Sequence, residues 1–248
     1  MSGILVMWKR QLIRYWRSRG RMLSSLGQPI LFFLALGFGF GPIYSKAGGG
    51  NYLEFLAPGI ISMTILFTAV FSGIEVIWDR QFGFLKETLV SPVPRWQIML
   101  GKTLGGATIA LLQATLILIL TLLFGFRPIS FLAIIPAYIF MFLIGFLFSS
   151  FGVAIASKLE DMRAFPFIMN FILMPIFFLS GALFPLDSLP KEVAVVTLFN
   201  PLSYGVEGLR ALLTGNANIP LAASLAVMII TSSILFAIGS YFFSRVEA

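Results

Sequence analysis

Neither cysteine nor histidine occurs anywhere in the chain. Disulfides, thiol nucleophiles and histidine-containing metal sites are therefore excluded, and no metal centre is expected. Charge is also scarce: Asp, Glu, Lys and Arg make up 11% of the 248 residues, less than half of the roughly 25% usual in soluble domains. An intramembrane enzyme would need a cluster of nucleophile, acid or ligand within its apolar stretches, and only Glu75 lies near the interior of one. No catalytic residue is expected. A soluble domain is missing as well, since the longest interval between apolar stretches on the basic side, Glu75–Lys102, is too short for a core of its own. The opening segment is basic and carries tryptophan, which is unlike a cleavable signal peptide, so the first apolar stretch is expected to serve as the insertion signal.

What the chain has in abundance is apolar length. Hydrophobic residues make up 58% of it, 27 of them phenylalanine. Six stretches, 22–43, 55–78, 103–126, 130–157, 164–186 and 220–243, are each apolar over about the 20 residues that a helix needs to cross the hydrocarbon core. The expected fold class is an all-α polytopic membrane protein, with one membrane domain over residues 1–248 and six transmembrane helices. Basic residues set its orientation. Lys9, Arg10, Arg14, Arg17, Arg19, Arg21, Arg80, Lys86, Arg95, Lys102, Lys158, Arg163 and Arg245 share one side if all six stretches cross, leaving only Lys46, Arg127, Lys191 and Arg210 opposite. The positive-inside rule then puts both termini in the cytoplasm. This asymmetry, with attraction to anionic lipid, accounts for the net charge of +7, so no nucleic-acid partner is expected.

Three shorter segments have patterns of their own. On a helix, residues 1–21 gather Ile4, Leu5, Trp8, Leu12, Tyr15 and Trp16 on one face and Arg10, Arg14 and Arg17 opposite, which predicts an interfacial helix at headgroup level. Residues 82–91 place apolar Phe84, Leu85 and Leu89 among Lys86 and Glu87, just after Arg80. Ser91-Pro-Val-Pro94 then stops the helix, giving a short amphipathic rod. Between the last two spans, 187–215 contains a 14-residue charge-free run, Val193–Val206, broken at Asn200-Pro201. It is too short to cross and too apolar for an open loop, so two half-helices dipping into the outer leaflet are expected.

Polar groups inside the spans are few. Glu75 is expected to pair with an arginine at the interface. Asn170 is placed to face a polar lumen or a neighbouring helix. Pro175 lies close by, and Phe171, Met174, Phe177 and Phe178 offer an aromatic and thioether surface. Gly37-x-x-x-Gly41 and Gly101-x-x-x-Gly105 permit close helix approach. Gly101-Lys102-Thr103 ends like a P-loop, but Trp96 stands where that motif needs glycine, so no nucleotide site is expected. An ion-coupled transporter would show several intramembrane ionisable groups and internal repeats, and neither is apparent.

The run Asp79–Trp96 with Leu100-Gly-Lys102, together with Glu160-Asp161, FFLSGALFP at Phe177–Pro185 and FNPLSYGVEGLRALLTG at Phe199–Gly215, resembles the type-2 ABC transport permeases, above all their bacterial and archaeal drug-export branch. The resemblance covers essentially the whole chain. It implies that 82–91 is a coupling helix docking in a groove of an ATPase subunit, with Arg80, Phe82, Phe84, Leu85, Lys86, Glu87 and Leu89 at the contact and Lys158 and Asp161 forming a smaller second one. Trp8, Arg10, Arg14 and Arg17 mark the interfacial helix. The outer segment becomes a re-entrant hairpin whose Leu198, Phe199, Tyr204, Glu207 and Arg210 form a gate, and Asn170, Met174, Phe177 and Phe178 line a translocation path. The resemblance further implies two ABC-type ATPase subunits carrying ATP and Mg, no cofactor in this chain, and a second permease copy or related chain. The setting would be a prokaryotic plasma membrane. The expected activity is export of hydrophobic or amphipathic molecules, drug-like or lipid-like, with export of a lipid-linked polysaccharide as the alternative.

Overall fold

The computed structural model describes residues 3–46, 50–90, 92–186 and 190–246, and the regular structure among them is helical throughout. Helix α1 (Gly3–Arg17) leads after Ser18 into α2 (Arg19–Lys46). The second apolar stretch forms α3 (Tyr52–Phe71) and α4 (Ile74–Gln81), separated by a break at Ser72-Gly73. Asn51 caps α3, its side chain accepting from the Leu53 amide. A short α5 (Phe84–Val90) follows, then α6 (Arg95–Leu123), which opens directly after Pro94. A 3-10 turn at Phe131–Ala133 leads into α7 (Ile134–Lys158). The chain continues through α8 (Ala164–Phe178), α9 (Lys191–Leu198), α10 (Pro201–Thr214) and α11 (Leu221–Ser244).

α3 is the axis of the bundle. It packs against α2, α6, α7, α8 and α10, and Leu56, Ile60, Ile65 and Leu66 are wholly buried. At its crossing with α7 the backbones nearly touch: a Cβ on Gly152 would stand 2.3 Å from the Val70 carbonyl oxygen, and one on Gly73 would stand 2.4 Å from that of Gly152. α11 lies outermost, against α7, α10 and α6, and leaves Ile229, Ile230, Ile234 and Ile238 exposed. An outward row of isoleucines on an apolar helix suits an apolar surrounding.

Among the described residues, five helical stretches are long and apolar enough to cross a membrane: Met22–Lys46, Tyr52–Gln81, Arg95–Leu123, Phe131–Lys158 and Leu221–Ser244. The remaining expected span, 164–186, differs. Its helix covers only the 15 residues Ala164–Phe178, about 22 Å at 1.5 Å per residue, against a core of about 30 Å. The cause is local. The Ser180 hydroxyl donates to the Phe177 carbonyl, and Gly181 turns the chain with φ +75°.

The N-terminal helix also differs from expectation. It does not lay Ile4, Leu5, Trp8, Leu12, Tyr15 and Trp16 together on lipid. It turns Gln11 and Tyr15 into α6 and leaves Leu5 and Trp16 exposed. Gly101 and Gly105 are the reason. Ile4 and Met7 sit where a Cβ on Gly101 would go, and Gln11 where one on Gly105 would go, so the second small-residue repeat is the groove that receives α1. Gly41, in the other repeat, meets no neighbour within 4 Å, while Gly37 faces the side chain of Leu53.

Candidate coupling and transport sites

At the basic end, helices far apart in sequence meet around one carboxylate. Asp79, on α4, is 2% exposed and accepts from Lys102 Nζ of α6 at 2.6 Å, Arg10 Nη2 of α1 at 2.8 Å and Arg14 Nη2 at 3.3 Å. One turn earlier, Glu75 pairs with Arg14 at 3.6 Å, the interfacial arginine partner expected for it. The Arg10 guanidinium also lies over the Phe84 ring, 5.7 Å from its centroid. One ionic cluster thus ties α1, α4 and α6 together and touches α5. Two carboxylates share three cations, which compensates the desolvation that an isolated buried charge would suffer.

The rod itself begins later than expected. Gly83, at φ +78°, interrupts the chain after Phe82, and α5 starts at Phe84. Its two sides differ. Leu85 is 1% exposed and joins the hydrophobic core, whereas Phe82, Phe84 and Val90 project outward and Lys86 and Glu87 are exposed. The side chain of Leu89 and all of Ser91 lie outside the described residues. Arg80 points back into the helical bundle: its guanidinium donates to the carbonyls of Ser157 at 2.7 Å and Leu159 at 3.3 Å, closing the C-terminal end of α7. Leu85 and Arg80 therefore seat the rod, and Phe82, Phe84, Lys86 and Glu87 are the grouped residues it presents outward. In the neighbouring loop, Lys158 lies over the Phe242 ring at 5.0 Å, and Asp161 accepts from the Arg163 amide at 2.7 Å.

At the opposite end, Glu207 and Arg210 form a buried ion pair one turn apart on α10. Arg210 also donates to the Gly181 carbonyl at 2.8 Å and lies over the Phe55 ring at 4.1 Å, while Glu207 accepts from the Asn218 amide at 2.6 Å. The pair fastens α10 to α3, to the turn after α8 and to the loop before α11. The break at Asn200-Pro201 is as expected: Asn200 caps α10 through the Leu202 amide and donates to the Ile176 carbonyl at 2.6 Å. Leu198 and Phe199 stand apart from the ion pair and face outward, and the Tyr204 hydroxyl donates to the Leu198 carbonyl at 2.9 Å. Residues 187–189 of the expected outer segment lie outside the described residues.

Between these ends is a cavity of about 360 Å³ lined from α1, α2, α3, α4, α6 and α8. Of the expected path residues, Asn170 lines it. Met174 is half-buried, Phe178 is partly exposed, and Phe177 is buried edge-on against Phe67. Sequence reasoning missed Gln113, the hub of the cavity wall. Its amide nitrogen donates to the Tyr15 hydroxyl at 2.8 Å and to the Ser25 hydroxyl, and its carbonyl accepts from Thr68. A lone carboxamide within the apolar stretch 103–126 was the available signal. Among the described residues, no three carboxylates gather as a metal site would require.

Comparison with known proteins gives the class. Residues 2–214 match the family model described as ABC-2 type transporter, and the chain belongs to that family. It is 29% identical over 222 residues to the protein named transport permease ycf38 of Cyanophora paradoxa, covering 86% of this chain and 74% of that protein. It is 30% identical over 209 residues to the ycf38 permease of Pyropia yezoensis, covering 82% and 71%. Nodulation protein J of Rhizobium leguminosarum bv. trifolii is 27% identical over 215 residues, covering 86% and 81%. Membership makes this chain a membrane-embedded permease subunit of an ABC transporter and implies an ABC ATPase as partner.

Proposed function

We propose that the chain is one half of an ATP-driven exporter. Two copies, or this chain and a related one, would enclose a path for hydrophobic or amphipathic molecules leaving the cytoplasm or inner leaflet of a prokaryotic cell. Two ABC ATPases would bind the outward side of α5, with the short loop at Lys158 and Asp161 as a second contact. ATP and Mg would be held by those subunits. Both termini lie on the cytoplasmic side in this reading, and residues 179–186 after α8 complete the sixth crossing, with α9 and α10 as a re-entrant outer hairpin. The observation that carries the proposal is the Asp79 cluster. A rod pushed by an ATPase moves a span only if it is fixed to that span, and here Arg10 connects the Phe84 ring with Asp79 at the end of the α3–α4 stretch.

Isolation of the complex through a tag on this chain tests the proposal. An ABC ATPase should co-purify, two copies for every two permease chains, and its hydrolysis should rise with an amphipathic substrate. A permease that purifies with no ATPase under conditions preserving other membrane complexes would contradict it.

A further inference from the structure

The cavity behind Gln113 carries information about what it holds. Among its described lining residues Glu75 is the only ionisable acid or base with a charge at neutral pH, and Arg14 engages it at 3.6 Å. The rest of the lining is hydroxyls, carboxamides and apolar side chains, including Phe67 and Phe71, whose rings stack at 14°. Gln113 spends its amide on Tyr15, Ser25 and Thr68. Two other carboxamides do not. Gln28 on α2 and Asn170 on α8 are both exposed where the cavity opens, and neither has a hydrogen-bond partner among the described residues. Gln28 is the seventh residue of the apolar stretch beginning at Met22, and Asn170 the seventh of α8. Each therefore lies about 9 Å along its helix from the basic end. That depth is within the apolar part of each helix, where an amide is unfavourable against hydrocarbon unless a ligand, a neighbouring helix or cavity water supplies a partner.

We propose that this cavity binds the head of an uncharged amphiphile bearing hydroxyl or amide groups, with Gln28 and Asn170 as its hydrogen-bonding jaws and the Phe67–Phe71 pair beneath its apolar face. A phosphate would find no unpaired cation among the described lining residues, and an ammonium group no unpaired carboxylate. A bare hydrocarbon would leave both amides unsatisfied. The site rests on the exporter reading for its purpose and on the cavity lining for its chemistry.

The test uses the full chain in phosphatidylcholine nanodiscs and fluorescent dodecyl amphiphiles that differ only in the head: glucoside, trimethylammonium or phosphate. The glucoside should bind saturably and most tightly, and Gln28→Leu and Asn170→Leu should each weaken it roughly 2- to 10-fold, with the charged probes unaffected. Gln28→Glu with Asn170→Asp, which keeps size while adding charge, should transfer the preference to the ammonium head, an outcome that a merely misfolded variant could not give. Equal glucoside affinity in the double leucine variant, or tighter binding of either charged probe by the unaltered chain, would overturn the proposal. So would a change in dimer mass with binding intact, since the amides would then serve a second copy. Assayed with the ATPase present, ATP-driven flux indifferent to head charge and to both substitutions would overturn the site and leave the exporter reading standing. Amide-dependent binding without any ATP-driven flux would support the site and count against the exporter.

Discussion

Asp79 is the residue on which most of the basic end depends. It is 2% exposed and Lys102 is 3% exposed at its side chain, so Asp79→Asn leaves a buried ammonium without its counter-ion. Loss of one partner of a buried pair typically costs about 3–5 kcal/mol. A marked fall in the melting temperature of the detergent-purified chain is therefore expected, and Asp79→Asn combined with Lys102→Met should recover part of it. A single variant as stable as the unaltered protein would show that the cluster is solvated. Glu207 is comparable at the other end, and Glu207→Gln should lower the melting temperature while releasing the Arg210 tie to Gly181. The two pairings were not equally legible in the sequence. Glu207 and Arg210 stand three apart on one helix and could be read directly. Asp79 meets Arg10 and Lys102 only because α1 seats in the groove at Gly101 and Gly105, and that contact is tertiary.

Among the elements, α5 separates two roles that a sequence reading had merged. Alternation indicates an amphipathic rod and Ser91-Pro-Val-Pro94 its end, but its start at Gly83 and the choice of apolar residues that face the permease depend on how α4 hands over the chain. Leu85→Ala removes a fully buried side chain and should destabilise the chain by about 2–5 kcal/mol. Phe84→Ala should leave the melting temperature almost unchanged and lower affinity for the ATPase roughly 10-fold, read by titrating purified ATPase against the permease in nanodiscs. The opposite ranking, with Leu85→Ala affecting only docking, would mean that α5 is turned the other way in the complex. α8 teaches a similar lesson: composition predicts a span over 164–186, yet the Ser180-Gly181 turn ends helical structure near Phe178, because a turn of two residues outweighs the apolar run around it.

For the whole molecule, the apolar stretches were enough to read an all-helical membrane protein, since each rests on composition over about 20 residues, whereas the permease reading rested on the resemblance carried by Asp79–Trp96, Phe177–Pro185 and Phe199–Gly215. The cavity was not readable, because its walls come from six helices. Topology can be tested directly, since the chain has no cysteine of its own. Single cysteines at Lys86 and Glu160 should react with a membrane-impermeant maleimide only from the cytoplasmic side, and those at Ser130 and Asn216 only from outside. Labelling of Glu160 and Asn216 positions from the same side would show that the stretch after α8 does not complete a crossing.

The central claim is that force from ATP hydrolysis elsewhere moves this chain. It is tested most directly by reconstituting the purified permease into vesicles with and without its ATPase subunits and following ATP hydrolysis and flux of a fluorescent amphiphile together. The account predicts no hydrolysis and no ATP-dependent flux from the permease alone, and both once the ATPase is added. Hydrolysis by the permease alone, rising in proportion to its concentration, would contradict it.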